Sequence, residues 1–289
     1  MGIHVSIIVP VFEQWPMVPD LLDCLKGQTY PRSLIEIILV DNGSSEVILP
    51  DQLEPNVQVL RCKKKGAYAA RNYGVAKAQG RWLLFTDADC LPGRSWVAQA
   101  VSALGADRTK RTFVAGRVES MTDNGQPSVY EIFDMVRGIP QAHYVRRGYA
   151  ATANLAVSRT LISEVGGFNE QLYSGGDADF CHRARRRGFN ITYVEAAVVN
   201  HRTRTSWNEI ATKARRVKGG QLTCKSNRYK VWIFIRTILS PAITSIRLAS
   251  CSQFPLKYRL IASFVYIKVW RVELLELIRV GFGGKPERR

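Results

Sequence analysis

Short apolar runs rich in β-branched residues recur along the first 90 residues, and segments with helical spacing separate them. Runs of this length predict buried strands, here over Val5–Val11, 35–40, Val57–Arg61 and Trp82–Phe85. Helices are predicted around Leu21, Leu22 and Leu25 and over residues 66–79, which Gly80 closes. This alternation with short connections predicts an α/β fold with a single mostly parallel, twisted sheet flanked by helices.

The middle of the chain has a less regular pattern. Strands are predicted over residues 113–116, 152–157 and 191–194, with β-like character continuing to residue 199. Helices are predicted over residues 130–137, 160–165 and 177–187, and a loop over 141–148. The α/β domain is therefore expected to continue to about residue 205.

From about residue 206 the pattern becomes that of basic amphipathic helices. They are predicted over residues 208–218, 229–239 and 256–280, with breaks at Gly219-Gly220, Pro241 and Pro255. We therefore predict a catalytic domain over residues 1–205 and a C-terminal basic amphipathic helical extension over 206–289. Segment 231–251 contains Arg236, Pro241 and Arg247, so a simple membrane-spanning helix is not expected.

The positive charge is concentrated in this extension. Residues 1–200 carry 22 Lys and Arg against 20 Asp and Glu, whereas residues 201–289 carry 19 against 4. Such asymmetry is typical of chains that bind a polyanion, either a membrane surface or nucleic acid. The aromatic and apolar content favours an anionic membrane surface, and no nucleic-acid partner is expected. Helices that pack on the catalytic domain or on another subunit are the structural alternative.

Six cysteines at irregular spacings predict reduced thiols, and no signal peptide is recognisable. Together with the basic extension, these features predict a cytoplasmic protein that is peripheral on the inner face of the cell membrane.

The ends of three predicted strands, at residues 10–13, 41–45 and 87–89, each deliver polar groups. The carboxyl ends of parallel strands share one edge of a sheet, where ligands of open α/β sheets bind. Asp87 and Asp89, two residues apart on a turn, can face one divalent cation, although a solvated turn or a helix cap is the plain alternative. Asp41 either contacts a nucleotide or only forms a turn with Asn42 and Gly43.

Four further residues are candidates with plainer alternatives. Arg71, on the second helix, can neutralise phosphate or pair with Asp87, or it can be an ordinary exposed arginine. Asp177 and Asp179 open a helix, where a carboxylate can cap the first turn or act as a general base. His201 is either structural or a ligand that completes a site begun by Asp89.

These residues, in their order and spacing, resemble the family 2 glycosyltransferases, which are inverting enzymes with the GT-A fold. The resemblance covers residues 3–205 and is carried by Val-Ser-Ile-Ile-Val-Pro-Val-Phe at 5–12, Ile-Leu-Val-Asp-Asn-Gly-Ser at 38–44, Ala-Arg-Asn-Tyr-Gly at 70–74, Leu-Phe-Thr-Asp-Ala-Asp at 84–89 and Gly-Gly-Asp-Ala-Asp at 175–179. Each motif is weak alone, but five in order are highly specific.

The resemblance implies a role for each matching residue. The nucleotide would contact Pro10, Val11, Phe12, Glu13, Asp41, Arg71, Asp87 and Ala88, and Mn²⁺ or Mg²⁺ would be held by Asp89 and His201. The donor sugar and acceptor would lie beside Thr152, Ala153, Asn154 and Gly176, and Asp177 would be the catalytic base. A nucleotide-sugar donor, most simply a UDP-sugar, and a glycan or lipid-linked acceptor in cell-envelope glycan synthesis are the expected partners.

The chain departs from the family pattern at two places. The family often has Glu-Asp where this chain has Gly176-Asp177, which keeps the base but changes the acceptor side. A Gln-x-x-Arg-Trp motif is missing from the sequence, which argues against a processive polymer synthase.

A nucleotidyltransferase would need a Gly-rich basic loop after the first strand, where residues 12–16 read Phe-Glu-Gln-Trp-Pro. The remaining alternative is an inactive nucleotide-binding GT-A-like protein that binds membrane or nucleic acid.

Overall fold

A computed structural model of the chain describes residues 2–49, 52–123, 125–222 and 227–287. Its strands are β1 (Val5–Val11), β2 (Ile35–Asp41), β3 (Val57–Arg61), β4 (Trp82–Phe85), β5 (Cys90–Pro92), β6 (Thr112–Met121), β7 (Leu155–Ser158) and β8 (Asn190–Arg202). Its helices are α1 (Val18–Lys26), α2 (Ala67–Lys77), α3 (Trp96–Ala106), α4 (Val129–Arg137), α5 (Gln141–Arg146), α6 (Arg159–Val165), α7 (Gly176–Arg186), α8 (Trp207–Leu222), α9 (Asn227–Ala249) and α10 (Leu256–Gly281). Short 3-10 turns cover Trp15–Met17, Arg32–Leu34 and Thr152–Asn154.

The strands form one eight-stranded sheet in the order β3-β2-β1-β4-β7-β6-β8-β5. Strands β3, β2, β1 and β4 run parallel, whereas β7 is antiparallel to both β4 and β6, and β5 is antiparallel to β8. The predicted α/β class, with a mostly parallel sheet flanked by helices, is confirmed. The parallel strands place the ends of β1, β2 and β4 at one edge, as the sequence predicted.

Both faces of the sheet are covered by apolar residues. Every residue of β1 is buried, which is expected of a parallel strand with helices on both sides. Val5, Ile7 and Val9 face one core, and Ile8 faces the other. Helix α2 lies close to the sheet because Gly74 has no side chain: a Cβ there would lie 2.7 Å from Ile8 Cγ2.

Four local predictions were wrong. The predicted loop over residues 141–148 contains α5, and only the second half of the predicted strand 152–157 is a strand. Helix α8 continues through Gly219 and Gly220, and α9 continues through Pro241. Strand β5 and helix α3 were not anticipated.

Tertiary contacts explain why α8 and α9 are not interrupted. A Cβ at Gly219 would lie 2.9 Å from Glu276 Oε1, so the glycine allows close packing. In α9, the proline at 241 cannot donate to the Thr237 carbonyl four residues earlier. That carbonyl instead accepts a bond from Trp270 Nε1 at 2.8 Å and one from the Ser240 hydroxyl at 2.9 Å.

The described chain divides into two compact units. The first comprises Met1–Glu119, Ile139–Glu170 and Gly176–His201, and it contains most of the sheet. The second comprises Ser120–Gly138, Gln171–Gly175 and Arg202–Arg289, and it contains α4, α8, α9 and α10. Within the second unit, apolar residues of α4, α8 and α10 form a core that includes Phe133, Ile210 and Val269.

Helices α9 and α10 also carry large apolar side chains that are exposed. On α9 these are Val231, Trp232, Phe234, Ile235, Ile238, Leu239, Ile243 and Ile246, and on α10 they include Leu256, Leu260, Phe264, Ile267, Leu275 and Ile278. Among the described helices, one, Arg228–Ala249, is long and apolar enough to cross a membrane by length and composition. The argument against a spanning helix relied on Arg236, Pro241 and Arg247, and the continuous helix removes only the break expected at Pro241.

Candidate active site

Asp41 lies at the end of β2, directly opposite Val11 in the register of β1 and β2. Its carboxylate is buried and accepts bonds from the Trp15 indole at 3.3 Å, Gly43 N at 3.2 Å and Ser44 N at 3.1 Å. Burial by itself would raise the pKa of Asp41, but the hydrogen bonds from Ser44, Gly43 and Trp15 outweigh it and lower the pKa. The site therefore contains a fixed anion where the nucleotide contact was predicted.

The segment after β1 is tied to the segment after β2. Pro10 and Val11 are buried in β1, and Phe12 is partly exposed just beyond it. Glu13 has a left-handed backbone conformation, with φ of 54°. Its amide donates to Ser44 Oγ at 2.9 Å, and its carboxylate accepts two bonds from Ser45, each 2.8 Å long. These bonds fix the two predicted nucleotide-contacting loops relative to each other.

Arg71 forms the centre of a charged cluster. It is 5% exposed, and its guanidinium donates to Asp87 Oδ1 at 2.5 Å. Burial lowers the pKa of Arg71, but the charges of Asp87 and Asp177 outweigh it, so the net shift is upward. Its Nε is buried and has no hydrogen-bond partner among the described residues. The predicted pairing of Arg71 with Asp87 is present, and Ala88 beyond it is fully buried.

Asp177 lies in the first turn of α7 and faces this cluster. Its carboxylate accepts bonds from Thr152 N and Thr152 Oγ1, both 3.3 Å long. The pKa of Asp177 is raised, chiefly by burial and further by the charge of Asp87, against the opposing effect of Arg71. A carboxylate with a raised pKa is a better proton acceptor, which suits a general base.

Asp179 has a different environment from Asp177. Its carboxylate pairs with Arg183 Nε at 2.8 Å, four residues along the same helix. Arg183 also donates to the carbonyls of Val165 and Gly167 at 2.8 and 2.7 Å. The geometry thus gives Asp179 a structural role in α7 and leaves Asp177 as the carboxylate of the cluster.

Asp89, Cys90 and His201 form a group whose ligand atoms all lie within 4.8 Å of one another. The register of β5 and β8 places Cys90 opposite His201, and His201 Nε2 lies 3.7 Å from Asp89 Oδ1. Gln14 Nε2 donates to the other carboxylate oxygen of Asp89 at 3.0 Å. The sequence predicted Asp89 and His201 but neither Cys90 nor Gln14.

This donor set fits a hard divalent cation. Burial, and then the charges of Asp89 and Asp87, raise the pKa of the Cys90 thiol well above its ordinary value. Thiolate is a soft ligand, so the Asp89 carboxylate and the His201 imidazole would be the donors to a hard cation. Oxygen and nitrogen donors with few protein ligands suit Mn²⁺ or Mg²⁺ that also binds phosphate.

The predicted acceptor-side residues differ in what they can contact. Thr152 is bound to Asp177, and Ala153 O accepts the Thr86 hydroxyl at 3.0 Å. Asn154 is buried, and its amide is engaged by Trp96 Nε1 at 2.8 Å, Arg117 O at 2.9 Å and Ala197 O at 2.8 Å. The structure thus gives the Asn154 side chain a structural role, and its proposed contact with substrate stays a prediction.

Two features of the site had weak sequence signals. Gln14 lies three residues after the end of β1, so its position near that strand end was the available clue. Tyr68 lies three residues before Arg71, and its hydroxyl accepts a bond from Gly176 N at 2.9 Å. That contact joins residues 108 positions apart, which local spacing does not show.

Comparisons with known proteins agree with this geometry. The sequence model of the family described as "Glycosyl transferase family 2" matches residues 6–190. Glycosyltransferase AglE from Haloferax volcanii is 31% identical to this chain over 242 residues, which are 81% of this chain and 76% of AglE.

Solved structures extend the similarity to the fold. Mannosyltransferase PcManGT from Pyrobaculum calidifontis, in complex with GDP-Man and Mn²⁺, aligns with a TM-score of 0.59 at 17% identity, covering 96% of this chain and 86% of that one. S. aureus TarS in complex with UDP-GlcNAc aligns with a TM-score of 0.55 at 14% identity, covering 98% and 93%. At these identities the similarity establishes the fold alone, and the predicted GT-A type is confirmed.

Proposed function

This chain belongs to glycosyl transferase family 2 and is a glycosyltransferase, and we propose that it transfers a sugar from a nucleoside diphosphate sugar with inversion of configuration. One observation carries the proposal. A cluster of buried Arg71 with the half-buried carboxylates Asp87 and Asp177 lies in the same unit as the Asp89–His201 pair and the fixed anion Asp41. A base, a phosphate-side cation site and a nucleotide contact are the three groups that such a reaction needs.

The donor nucleotide would bind at the ends of β1 and β2. Asp41 would accept hydrogen bonds from the base, and Pro10, Val11, Phe12 and Glu13 would line its edge. Asp87 and Ala88 would lie beside the ribose and diphosphate, with Arg71 holding Asp87 in place through the 2.5 Å contact. A UDP-sugar is the donor we propose to test first.

Asp89 and His201 would hold Mn²⁺ or Mg²⁺, with Gln14 orienting the Asp89 carboxylate. A bound divalent cation supplies electrostatic stabilisation to a leaving diphosphate. The protein would contribute two ligand atoms, His201 Nε2 and Asp89 Oδ1, which lie 3.7 Å apart, and phosphate and water would supply further ligands.

The transfer would be a single displacement in which Asp177 accepts the proton of an acceptor hydroxyl. As the acceptor oxygen forms its bond to the anomeric carbon, the bond from that carbon to the diphosphate oxygen breaks. The electron pair of that bond leaves with the diphosphate, and the acceptor proton remains on Asp177. The raised pKa of Asp177 supports this role, because proton transfer is most efficient when the pKa of the base lies nearer the working pH.

We further propose that α9 and α10 bind an anionic membrane surface on its cytoplasmic side. Their exposed apolar side chains include Trp232 and Phe264, and exposed Lys230, Arg236 and Lys268 lie along the same helices. Apolar residues enter the interface between headgroups and acyl chains while Lys and Arg pair with anionic lipids. The acceptor would accordingly be a lipid-linked or other cell-envelope glycan.

The catalytic proposal is tested by release of free nucleotide. The full chain is incubated with UDP- and GDP-sugars and Mn²⁺, with and without a lipid extract as acceptor source. Asp177→Asn is expected to lose the lipid-stimulated rate at least 100-fold, because a general base contributes about 10²–10⁴. Asp179→Asn is the matched control and is expected to retain activity, since Asp179 is paired within α7.

Loss of turnover in Asp89→Ala and on chelation, with recovery on adding Mn²⁺ or Mg²⁺, would support the cation site. Equal loss in Asp177→Asn and Asp179→Asn would contradict the assignment of the base. Binding of a nucleotide-sugar without turnover under any condition would instead support an inactive nucleotide-binding protein.

The membrane proposal is tested by flotation with vesicles of neutral or anionic phospholipid. The chain is expected to float with anionic vesicles at low salt and to be released at high salt, because surface charge interactions are screened. Trp232→Ser is expected to weaken flotation, whereas Ile48→Ser, which removes an exposed apolar residue from the other unit, is the control. Equal flotation with neutral vesicles would contradict an electrostatic contribution.

A further inference from the structure

The ring of Tyr68 lies against the first turn of α7. Tyr68 is the second residue of α2, and its hydroxyl accepts the Gly176 amide at 2.9 Å. Its ring stacks on Phe168 at 5.9 Å between centroids, and the Arg71 guanidinium lies 5.8 Å from its centre. Tyr68 is therefore held from three sides, with its hydroxyl aimed at the segment that carries Asp177.

The donors and acceptors of a phenol determine the direction of any hydrogen bond between Tyr68 and the neighbouring Asp177 carboxylate. A tyrosine hydroxyl has one proton to donate and can accept further bonds. Because the Gly176 amide already donates to this oxygen, the hydroxyl proton is available to the Asp177 carboxylate. Burial, and then the charge of Asp177, raise the pKa of Tyr68, so the hydroxyl keeps its proton at neutral pH.

The glycine at 176 is required by the same ring. A Cβ at this position would lie 2.5 Å from Tyr68 Cε2 and 2.6 Å from Tyr68 Cζ, which is far inside van der Waals contact. A glutamate at 176, as the family often has, cannot coexist with Tyr68 in this position. The tyrosine and the glycine thus form a matched pair next to Asp177.

We propose that Tyr68 is a positioning residue for Asp177: its hydroxyl donates to the Asp177 carboxylate, and Gly176 leaves the space that its ring requires. The role of Asp177 as base rests on the proposed function, whereas the contact itself does not. Together with the two observed bonds from Thr152, on the turn before β7, this bond from α2 would fix the orientation of the carboxylate.

Removing the hydroxyl is expected to change the titration of Asp177 in a defined direction. The groups that face this carboxylate are Tyr68 and Arg71 on α2, Asp87 after β4, Thr152, and Cys181 on α7. A hydrogen bond to the charged form lowers a carboxylate pKa, so Tyr68→Phe is expected to raise the pKa of Asp177. Losing one hydrogen bond to a charged carboxylate is expected to raise its pKa by about one unit.

The full chain, labelled with ¹³C-aspartate, is titrated by NMR, and Asp177→Asn assigns the carboxyl resonance. Tyr68→Phe keeps the ring and is expected to move the Asp177 midpoint up by about one unit. Tyr73→Phe makes the same chemical change at an exposed position of α2 and is expected to leave the Asp177 midpoint unchanged. An unchanged midpoint in Tyr68→Phe would overturn the inference.

Nucleotide release from the active donor provides the functional readout. Tyr68→Phe is expected to lower kcat about tenfold with the donor KM unchanged. The acidic limb of the pH–rate profile is expected to move to higher pH by about one unit, as the Asp177 midpoint does. A change in donor KM alone would refute a positioning role. If the wild-type chain turns over no donor, the proposed function fails, and the NMR titration still decides the Tyr68 contact.

A double-mutant cycle tests the matched pair without any assay of activity. Gly176→Ala is expected to lower the thermal midpoint because its Cβ meets the Tyr68 ring. The double variant Gly176→Ala with Tyr68→Ser is expected to lower the thermal midpoint by less than the sum of the two single changes, because serine leaves room for the new Cβ. Additive losses would show that Tyr68 does not set the requirement for glycine.

Discussion

Replacing Arg71 with methionine tests whether charge compensation holds the candidate site together. Arg71 is 5% exposed, and its contact with Asp87 is 2.5 Å long. Two unit charges about 4 Å apart attract by about 4 kcal/mol at an effective dielectric constant near 20. Breaking a buried pair by removing one partner typically costs about 3–5 kcal/mol, that is a factor of about 10²–10⁴ in the folding equilibrium.

The expected loss for Arg71→Met lies near the lower end of that range. The Asp87 side chain is 30% exposed, so water recovers part of the solvation of its uncompensated charge. The buried Arg71 Nε, which has no partner among the described residues, also ceases to be a cost. We therefore expect the free energy of unfolding to fall by about 3 kcal/mol.

Urea unfolding, followed by tryptophan fluorescence, measures this loss in the full chain. Glu54→Gln is the control, because its ion pairs with Lys26 and Arg32 are on the surface and are expected to contribute little. Asp87→Asn completes a double-mutant cycle with Arg71→Met, and the two losses are expected to be strongly non-additive. Additive losses, or a loss no larger than that of Glu54→Gln, would refute the reasoning.

Further outcomes follow from other contacts. The rate of transfer is expected to fall as the pH decreases through the pKa of Asp177, because only the deprotonated carboxylate accepts a proton. Since this pKa is raised, the fall is expected at a higher pH than for an ordinary aspartate, and a pH–rate profile measures it. Gly74→Val is expected to cost several kcal/mol of unfolding free energy, because a Cβ lies 2.7 Å from Ile8 Cγ2, and Ile8→Ala is expected to recover part of the loss in urea unfolding. Trp270→Phe is expected to lower stability by about 1 kcal/mol, and by less in a Pro241→Ala background, where the backbone amide at 241 can again bond within α9.

The sequence predicted the parallel half of the sheet because local patterns determine it. Strands β1, β2 and β4 are mainly apolar and end at polar residues, and β3 alternates apolar and polar residues. Asp41 and Asp87 could be assigned to one edge because parallel strands end together. The resemblance to a family added Asp177, which no local pattern distinguished from Asp179.

The elements that sequence reasoning missed depend on distant partners. Helix α9 continues through Pro241 because Trp270 and Ser240 satisfy the carbonyl that proline leaves free. Residues 120–138 and 171–175 belong to the same compact unit as residues 202–289, and nothing in their local pattern indicates it. Cys224 lies outside the described residues, so the predicted reduced state of that thiol stays a prediction.

The sequence by itself determined the α/β class, the positions of the carboxylates at the strand ends and the concentration of positive charge after residue 200. These properties follow from hydrophobic periodicity, turn chemistry and composition, which act within a few residues along the chain. Only the tertiary structure decided that Cys90 lies opposite His201, that Thr152 binds Asp177 and that Tyr68 meets Gly176. Strand register, side-chain pairing and close approach depend on residues far apart in the sequence, which come together only when the core packs.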